Sequence, residues 1–150
     1  MSTTEGTATT AGPPPDGIEG LALTITLPGV VSWPRPRLRA NGSVGYSRRY
    51  AEDRAAWAAA VAHAVTTYGW TVVPRGVPVG VRVLMQAWRG RQCDLDRVCT
   101  AVCDALQRGG AIGDDRDVWS LRAERRGAKR GQEQTRVQVV LGLAAFCLTD

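Results

Sequence analysis

Residues 89–119 hold six aspartates, at positions 94, 96, 104, 114, 115 and 117, inside a chain that is otherwise basic. They are threaded through an amphipathic pattern. Leu95, Val98, Cys99, Val102, Ala105 and Leu106 recur at spacings of three and four, which puts them on one face of a helix. Gly109-Gly110 ends that helix, because glycine can take the left-handed conformation that terminates helices. Asp94 falls at the N-cap, where its carboxylate is expected to accept from the first free backbone N–H groups. Just upstream, Val79, Val81, Val83, Met85 and Ala87 alternate with other residues over 77–88, as in an interior strand. A strand feeding a helix with one apolar face restricts the fold to helices layered on a sheet.

The acids have chemical consequences of their own. Residues two apart inside a helix point to nearly opposite sides, so Asp94 and Asp96 can converge only at the helix mouth. There the helix dipole helps to keep both ionised. Two carboxylates held close repel each other unless a cation sits between them. Hard oxygen donors of this kind suit Mg²⁺, which takes one or two protein carboxylates and completes its shell with water and phosphate. The Asp114-Asp115-Arg116-Asp117 turn could supply a third acid. Arginines 89, 91, 97, 108 and 116 surround the acids in sequence, as an anionic substrate would require. Taken singly, Asp94 reads as a cap, Asp96 as a favourable first-turn charge and the later run as a polar turn; the whole arrangement points further.

The order Arg-x-Arg-x-x-Asp94-Leu95-Asp96, then Asp104-Ala105-Leu106, then Gly-Ala-Ile-Gly-Asp114-Asp115, resembles the RusA family of Holliday junction resolvases. The resemblance is tight over residues 88–126, looser over 22–66, and does not reach the first twenty residues. It implies that Asp94, Asp96 and Asp115 are the metal-binding catalytic acids, that the cofactor is Mg²⁺, and that the protein works as a homodimer on four-way DNA. Two departures stand out. Arg97 replaces the family's Asn after the second Asp, and Thr100 replaces a functionally important Lys. Arg97 and Arg91 are the nearest cations in sequence that could substitute for that Lys.

At 150 residues the chain suits one domain with a core. The expected division is a disordered tail over 1–20 and a RusA-like domain over 21–150. The formal charge is +5, but residues 1–20 hold three acids and no Lys or Arg, leaving 19 basic against 11 acidic residues, or +8, for the remainder. That balance is a footprint for nucleic acid. The sequence has neither a signal peptide pattern nor a membrane-length apolar run, so a reducing, cytoplasmic setting is expected, in a bacterial cell and with a phage or prophage as a conceivable source. Cysteines 93, 99, 103 and 147 lack a Cys-x-x-Cys spacing and a nearby His, so they read as small buried thiols, with a zinc-bound interaction module as the lesser alternative.

Along the chain, residues 21–27 alternate as a strand, and Trp33-Pro-Arg-Pro-Arg-Leu-Arg39 leads to an Asn41-Gly42 turn that suits a hairpin. Arg35, Arg37 and Arg39 would share one face there and track a phosphate backbone, or protect an edge strand. Trp33 is a stacking residue or a core anchor. Ser47 caps a helix running to about Tyr68, with Tyr50, Trp57, Val61, Ala64 and Val65 on its buried stripe and His63 on its surface. Residues 118–125 and 134–142 read as two strands joined by a basic hairpin loop containing Lys129 and Arg130. The expected class is α+β, a mixed β-sheet with two main helices packed on one face.

The leading functional expectation is a Mg²⁺-dependent, structure-selective endodeoxyribonuclease that resolves Holliday junctions in DNA recombination and repair. DNA contacts are expected at Arg35, Arg37, Arg39, Arg89, Arg91, Arg97, Lys129 and Arg130. A catalytically weak protein of the same fold that only binds branched DNA is the alternative, motivated by Thr100.

Overall fold

The computed structural model describes residues 16–19, 21–34 and 37–141, the side chains of Glu19 and Arg37 excepted. Its main sheet has five strands in the order β1-β2-β7-β5-β6. They are β1 (Gly17–Glu19), β2 (Ala22–Pro28), β5 (Val79–Ala87), β6 (Val118–Gly127) and β7 (Gln134–Leu141). A separate two-stranded ribbon pairs β3 (Arg37–Leu38) with β4 (Val44–Gly45). The helices are α1 (Arg48–Tyr68) and α2 (Leu95–Arg108). β5 and β6 run parallel, joined through α2, while the β1·β2, β2·β7 and β7·β5 pairs are antiparallel. The sheet is therefore mixed, and the expected α+β class holds.

One face of the sheet carries the core. Register aligns Leu23, Ile25 and Leu27 of β2 with Val139, Val137 and Thr135 of β7, and these with Val81, Val83 and Met85 of β5. All nine are buried. The eight apolar ones meet Trp57 and Val61 of α1 and Val98, Val102 and Leu106 of α2 in the same core cluster. The indole N–H of Trp57 donates to the Pro28 carbonyl at 2.7 Å, so the largest buried side chain leaves no unsatisfied donor. The opposite face is polar, with Arg82, Gln86, Gln134, Arg136 and Gln138 at the alternating positions.

Both helices end as their sequences require. Ser47 caps α1 by accepting from the Tyr50 N–H at 3.2 Å, and Gly69 closes it with φ of 66°. At the end of α2 the left-handed residue is Gly110, with φ of 81°. Gly109 has a different reason to be glycine. A Cβ there would lie 2.4 Å from Val61 Cβ, so the missing side chain lets the two helices approach.

Two expectations are corrected. Residues 118–127 and 134–141 are not a hairpin, because β5 lies between them. The buried, alternating Thr135, Val137 and Val139 put β7 inside the sheet, whereas β6 is exposed along most of its length and takes the edge. The basic loop that follows Gly127 thus crosses the end of β5. The sheet also begins before residue 21. β1 pairs with β2, and the Asp16 carboxylate accepts from Thr26 N at 3.2 Å and Thr26 Oγ1 at 2.7 Å. Backbone and side-chain hydrogen bonds hold this segment without the apolar pattern that would have disclosed it. Residues 1–15, Arg35 and Cys147 lie outside the described residues.

Candidate functional site

Three of the six aspartates are tied into the fold. Asp104 accepts a two-pronged bond from Arg54 of α1, at 2.6 and 2.7 Å, and both side chains are largely buried. That bond holds the Arg54 guanidinium above its ordinary pKa. Asp117 accepts from Gly76 N at 2.8 Å and pins the turn before β6 to the loop before β5. Asp114 caps the short 3-10 turn Asp115–Asp117 by accepting from Arg116 N at 3.0 Å. This hydrogen bond is the main cause that holds the Asp114 carboxyl below its usual range.

Asp94, Asp96 and Asp115 are exposed, and the structure uses them differently. Asp94 is the N-cap of α2, but its side chain makes no capping bond and instead faces Arg97 at 3.5 Å. Asp96, Thr100 and Cys103 follow one another up α2 at helical spacing and line a groove of about 470 Å³ between α2 and β6. Asp115 lines the same groove from the other side. Gln107, one more turn along that stripe, accepts from Asp115 N at 2.9 Å and sets the turn against the helix. Burial pushes the Cys103 thiol up to about 12, with Cys99 and then Asp115 adding to it. Burial also raises Cys99, and Asp96 adds to that. Both groups are therefore neutral packing thiols. Cys93 sits with its sulfur 3.7 Å from that of Met85.

Asp94 opens on a neighbouring cleft of about 700 Å³, lined also by Arg89, Arg91, Arg125 and Arg126. The same two walls run through both cavities. β6 contributes Leu121 and Ala123 to the groove and then Arg125 and Arg126 to the cleft, while the mouth of α2 contributes Asp96 to one and Asp94 to the other. Asp96 and Asp115 thus line one groove, Asp96 from the first turn of α2 and Asp115 from a turn fastened near its last, while Asp94 lines the neighbouring cleft. Among the described residues, no group of three His, Cys, Asp or Glu side chains could hold one metal ion. The donor set that does share a groove is two hard carboxylates, which is within what Mg²⁺ takes from a protein.

The expected cations fall into distinct roles. Arg89 is exposed in the cleft. Arg91 donates to the Val30 carbonyl at 2.7 Å and pairs with Glu133 at 3.6 Å, so much of its guanidinium is committed to holding loops. Arg97 stays with Asp94. Arg39 lies in the exposed ribbon, and its guanidinium fills the space beside Gly45. Arg37 is placed by its backbone in β3. Lys129 is exposed, and Arg130 lies over the Trp88 ring at 5.4 Å. Trp33 is an anchor: Tyr46 and Tyr50 meet it edge-on at 5.8 Å, and Arg54 covers it at 5.3 Å. Thr100 turns its hydroxyl back to the Asp96 carbonyl at 3.1 Å.

Sequence reasoning missed Arg125, Arg126 and Gln107. The signal for the two arginines was available, because parallel strands joined through a helix gather their C-terminal ends, where ligands of α/β units collect. No protein-family model matches the chain, and no curated protein matches it. Among the described residues no helix is long and apolar enough to cross a membrane.

Proposed function

We propose that this protein is a metal-dependent, structure-selective endodeoxyribonuclease that acts on four-way DNA junctions in recombination and repair. The observation that carries the reading is a groove lined by the exposed Asp96 and Asp115 beside a cleft lined by four arginines. Phosphodiester hydrolysis needs both parts: carboxylates for a divalent cation and guanidinium groups for phosphate oxygens. Asp96 and Asp115 would hold Mg²⁺, with Asp94 beside them at the helix mouth. Bound there, the ion would lower the pKa of a water and offset charge on the phosphoryl oxygens. Arg89 orients the backbone, beside Arg125, which donates to the Arg91 carbonyl at 2.8 Å, and Arg126, which pairs with Glu124 at 3.0 Å; Gln107 keeps the Asp115 turn in place. The resemblance in sequence supplies the word junction and the homodimer; paired cuts on a branched substrate call for two symmetry-related sites.

One observation favours a second reading, a protein that grips branched DNA and cuts it poorly. No Lys or Arg is among the residues lining the groove with Asp96 and Asp115, and the Thr100 hydroxyl is turned to the helix backbone. Incubating a labelled four-way junction with the protein in Mg²⁺ and in EDTA separates the two. Cuts placed symmetrically about the branch, dependent on Mg²⁺ and lost in Asp96→Asn and Asp115→Asn, are expected. Tight junction binding without cuts selects the second reading.

A further inference from the structure

The groove between α2 and β6 has a rim and a floor of opposite chemistry. The rim carries the Asp96 and Asp115 carboxylates, and the floor is made by Leu95, Cys99, Cys103, Leu121 and Ala123. Leu121 is 47 % exposed although it lies on the core-facing side of the sheet, in register with Val81. The apolar surface therefore continues outward past the helices. A sugar-phosphate backbone gains nothing from such a floor. The face of a nucleobase does, because moving it out of water onto apolar atoms is favourable.

Size and charge narrow the occupant. About 470 Å³ lies within the range of small-ligand pockets and has room for a nucleotide. It has no room for a duplex, whose major groove alone is about 12 Å wide. A paired and stacked base cannot reach the floor, so the base that does must have left its stack. Leu121, Ala123 and Arg125 are alternate residues on one face of β6, in register with Val81, Val83 and Met85. A strand laid along β6 therefore meets apolar floor first and the arginine cleft next, where a neighbouring phosphate finds the exposed Arg89, and can compete with the Arg91 carbonyl for Arg125 and with Glu124 for Arg126.

We propose that the groove receives one unstacked nucleotide of a branched DNA strand, its base on the floor of Cys103, Leu121 and Ala123 and its neighbouring phosphates in the arginine cleft. The inference rests on the nuclease reading, which is what brings DNA to these walls. It also gives that reading a source of selectivity. Unstacking costs a few kcal/mol within a duplex and least where pairing is already interrupted, as at a branch point.

The test places 2-aminopurine, one position at a time, around the branch of a four-way junction, with Ca²⁺ replacing Mg²⁺ during the fluorescence reading. No aromatic ring lines the groove to quench the analogue, so a severalfold rise in emission is expected at a position next to the branch. Ala123→Phe fills the groove from an exposed edge strand, and a melting curve checks its fold. It should abolish the rise and weaken junction binding roughly tenfold, about 1.4 kcal/mol, while binding to uninterrupted duplex stays the same. If Ala123→Phe does not fold, Leu121→Ser carries the same expectation. A junction that is bound and cut with no rise at any position overturns the inference and leaves the nuclease reading standing. Absence of binding to any DNA overturns both.

Discussion

Helix α2 presents aspartates to two neighbours, and treats them in opposite ways. Toward α1, Asp104 is largely buried and held by both prongs of Arg54. Toward β6, Asp96 is exposed in a groove whose other residues offer it no cation. A carboxylate tied to a guanidinium contributes to stability and has little left to bind with; one left open in a groove adds no such tie and keeps its oxygens available. Stability explains the first arrangement and does not explain the second, and this difference separates framework acids from candidate catalytic ones within a single helix.

Substituting one acid of each kind tests the division most strongly. Asp96→Asn and Asp115→Asn should each reduce junction cleavage by about a hundredfold or more, the scale on which single electrostatic groups act in transition states. Their melting temperatures should match that of the parent protein, because both side chains are exposed and, among the described residues, neither takes part in an ion pair that holds the fold, as Asp104 does. Asp94→Asn should also cut poorly. Full cleavage by any one of them removes that residue from the site.

Asp104→Asn should behave in the reverse manner, with cutting by the folded protein preserved and stability lowered. An ion pair with side chains 28 % and 16 % exposed keeps some solvent screening, so the loss should be about 1–2 kcal/mol rather than the larger cost of a fully buried break. Chemical denaturation measures it. An unchanged midpoint would show that Arg54 and Asp104 do not tie the helices together.

Gln107→Ala should fall between these two classes. Its side-chain carbonyl accepts from the Asp115 backbone N–H, so its loss loosens the turn without removing a ligand. A drop of roughly tenfold in the cleavage rate, with junction affinity unchanged, is the expected positioning effect. Gln107→Glu retains the acceptor and should restore most of the rate. Equal rates for the Ala variant and the parent protein would leave Asp115 positioned by Asp114 and Asp117 alone.

How far these distinctions could be read from the sequence depends on the range of the interaction. The α2 stripe, the Ser47 cap, the Gly69 terminus and the alternation in β5 are local patterns, and the structure repeats them. The neighbours of β6 are not local. The five residues from Gly127 to Gly131 suit a hairpin, and only the burial of Val137 and Val139 against the exposure of β6 shows that β5 intervenes. The arginine cleft was hidden for the same reason, since it depends on β6 lying beside β5. Within the acid cluster, spacing singles out Asp94, Asp96 and Asp104 on one helix. It could not separate Asp104 from Asp96, because the partner that distinguishes them, Arg54, is fifty residues away.

The smallest expected effect concerns the framework side of α2 and needs an alkaline titration. Tyr50 of α1 is buried against Trp33 and Tyr46, and among the described residues its hydroxyl has no hydrogen-bond partner. Burial is the largest cause that pushes its pKa up to about 12; Arg54 opposes the shift and Asp104 adds to it. Because the folded pKa is raised, the unfolded chain loses the proton first. The stability contribution is therefore intact below pH of about 10 and is lost progressively as pH rises towards 12. Cys103 acts in the same direction from about pH 9 upward, since its thiol is also raised to about 12. Tyr50→Phe removes an unsatisfied hydroxyl, so at neutral pH it should be neutral or stabilising by less than about 1 kcal/mol. Above pH 10 the variant should lose stability less steeply than the parent protein, by at most about 1.4 kcal/mol per pH unit. Parallel stability curves for the two proteins between pH 9 and about 12 would mean that the Tyr50 hydroxyl reaches water in the folded state, and that the α1 side of α2 is as open as the groove beside β6.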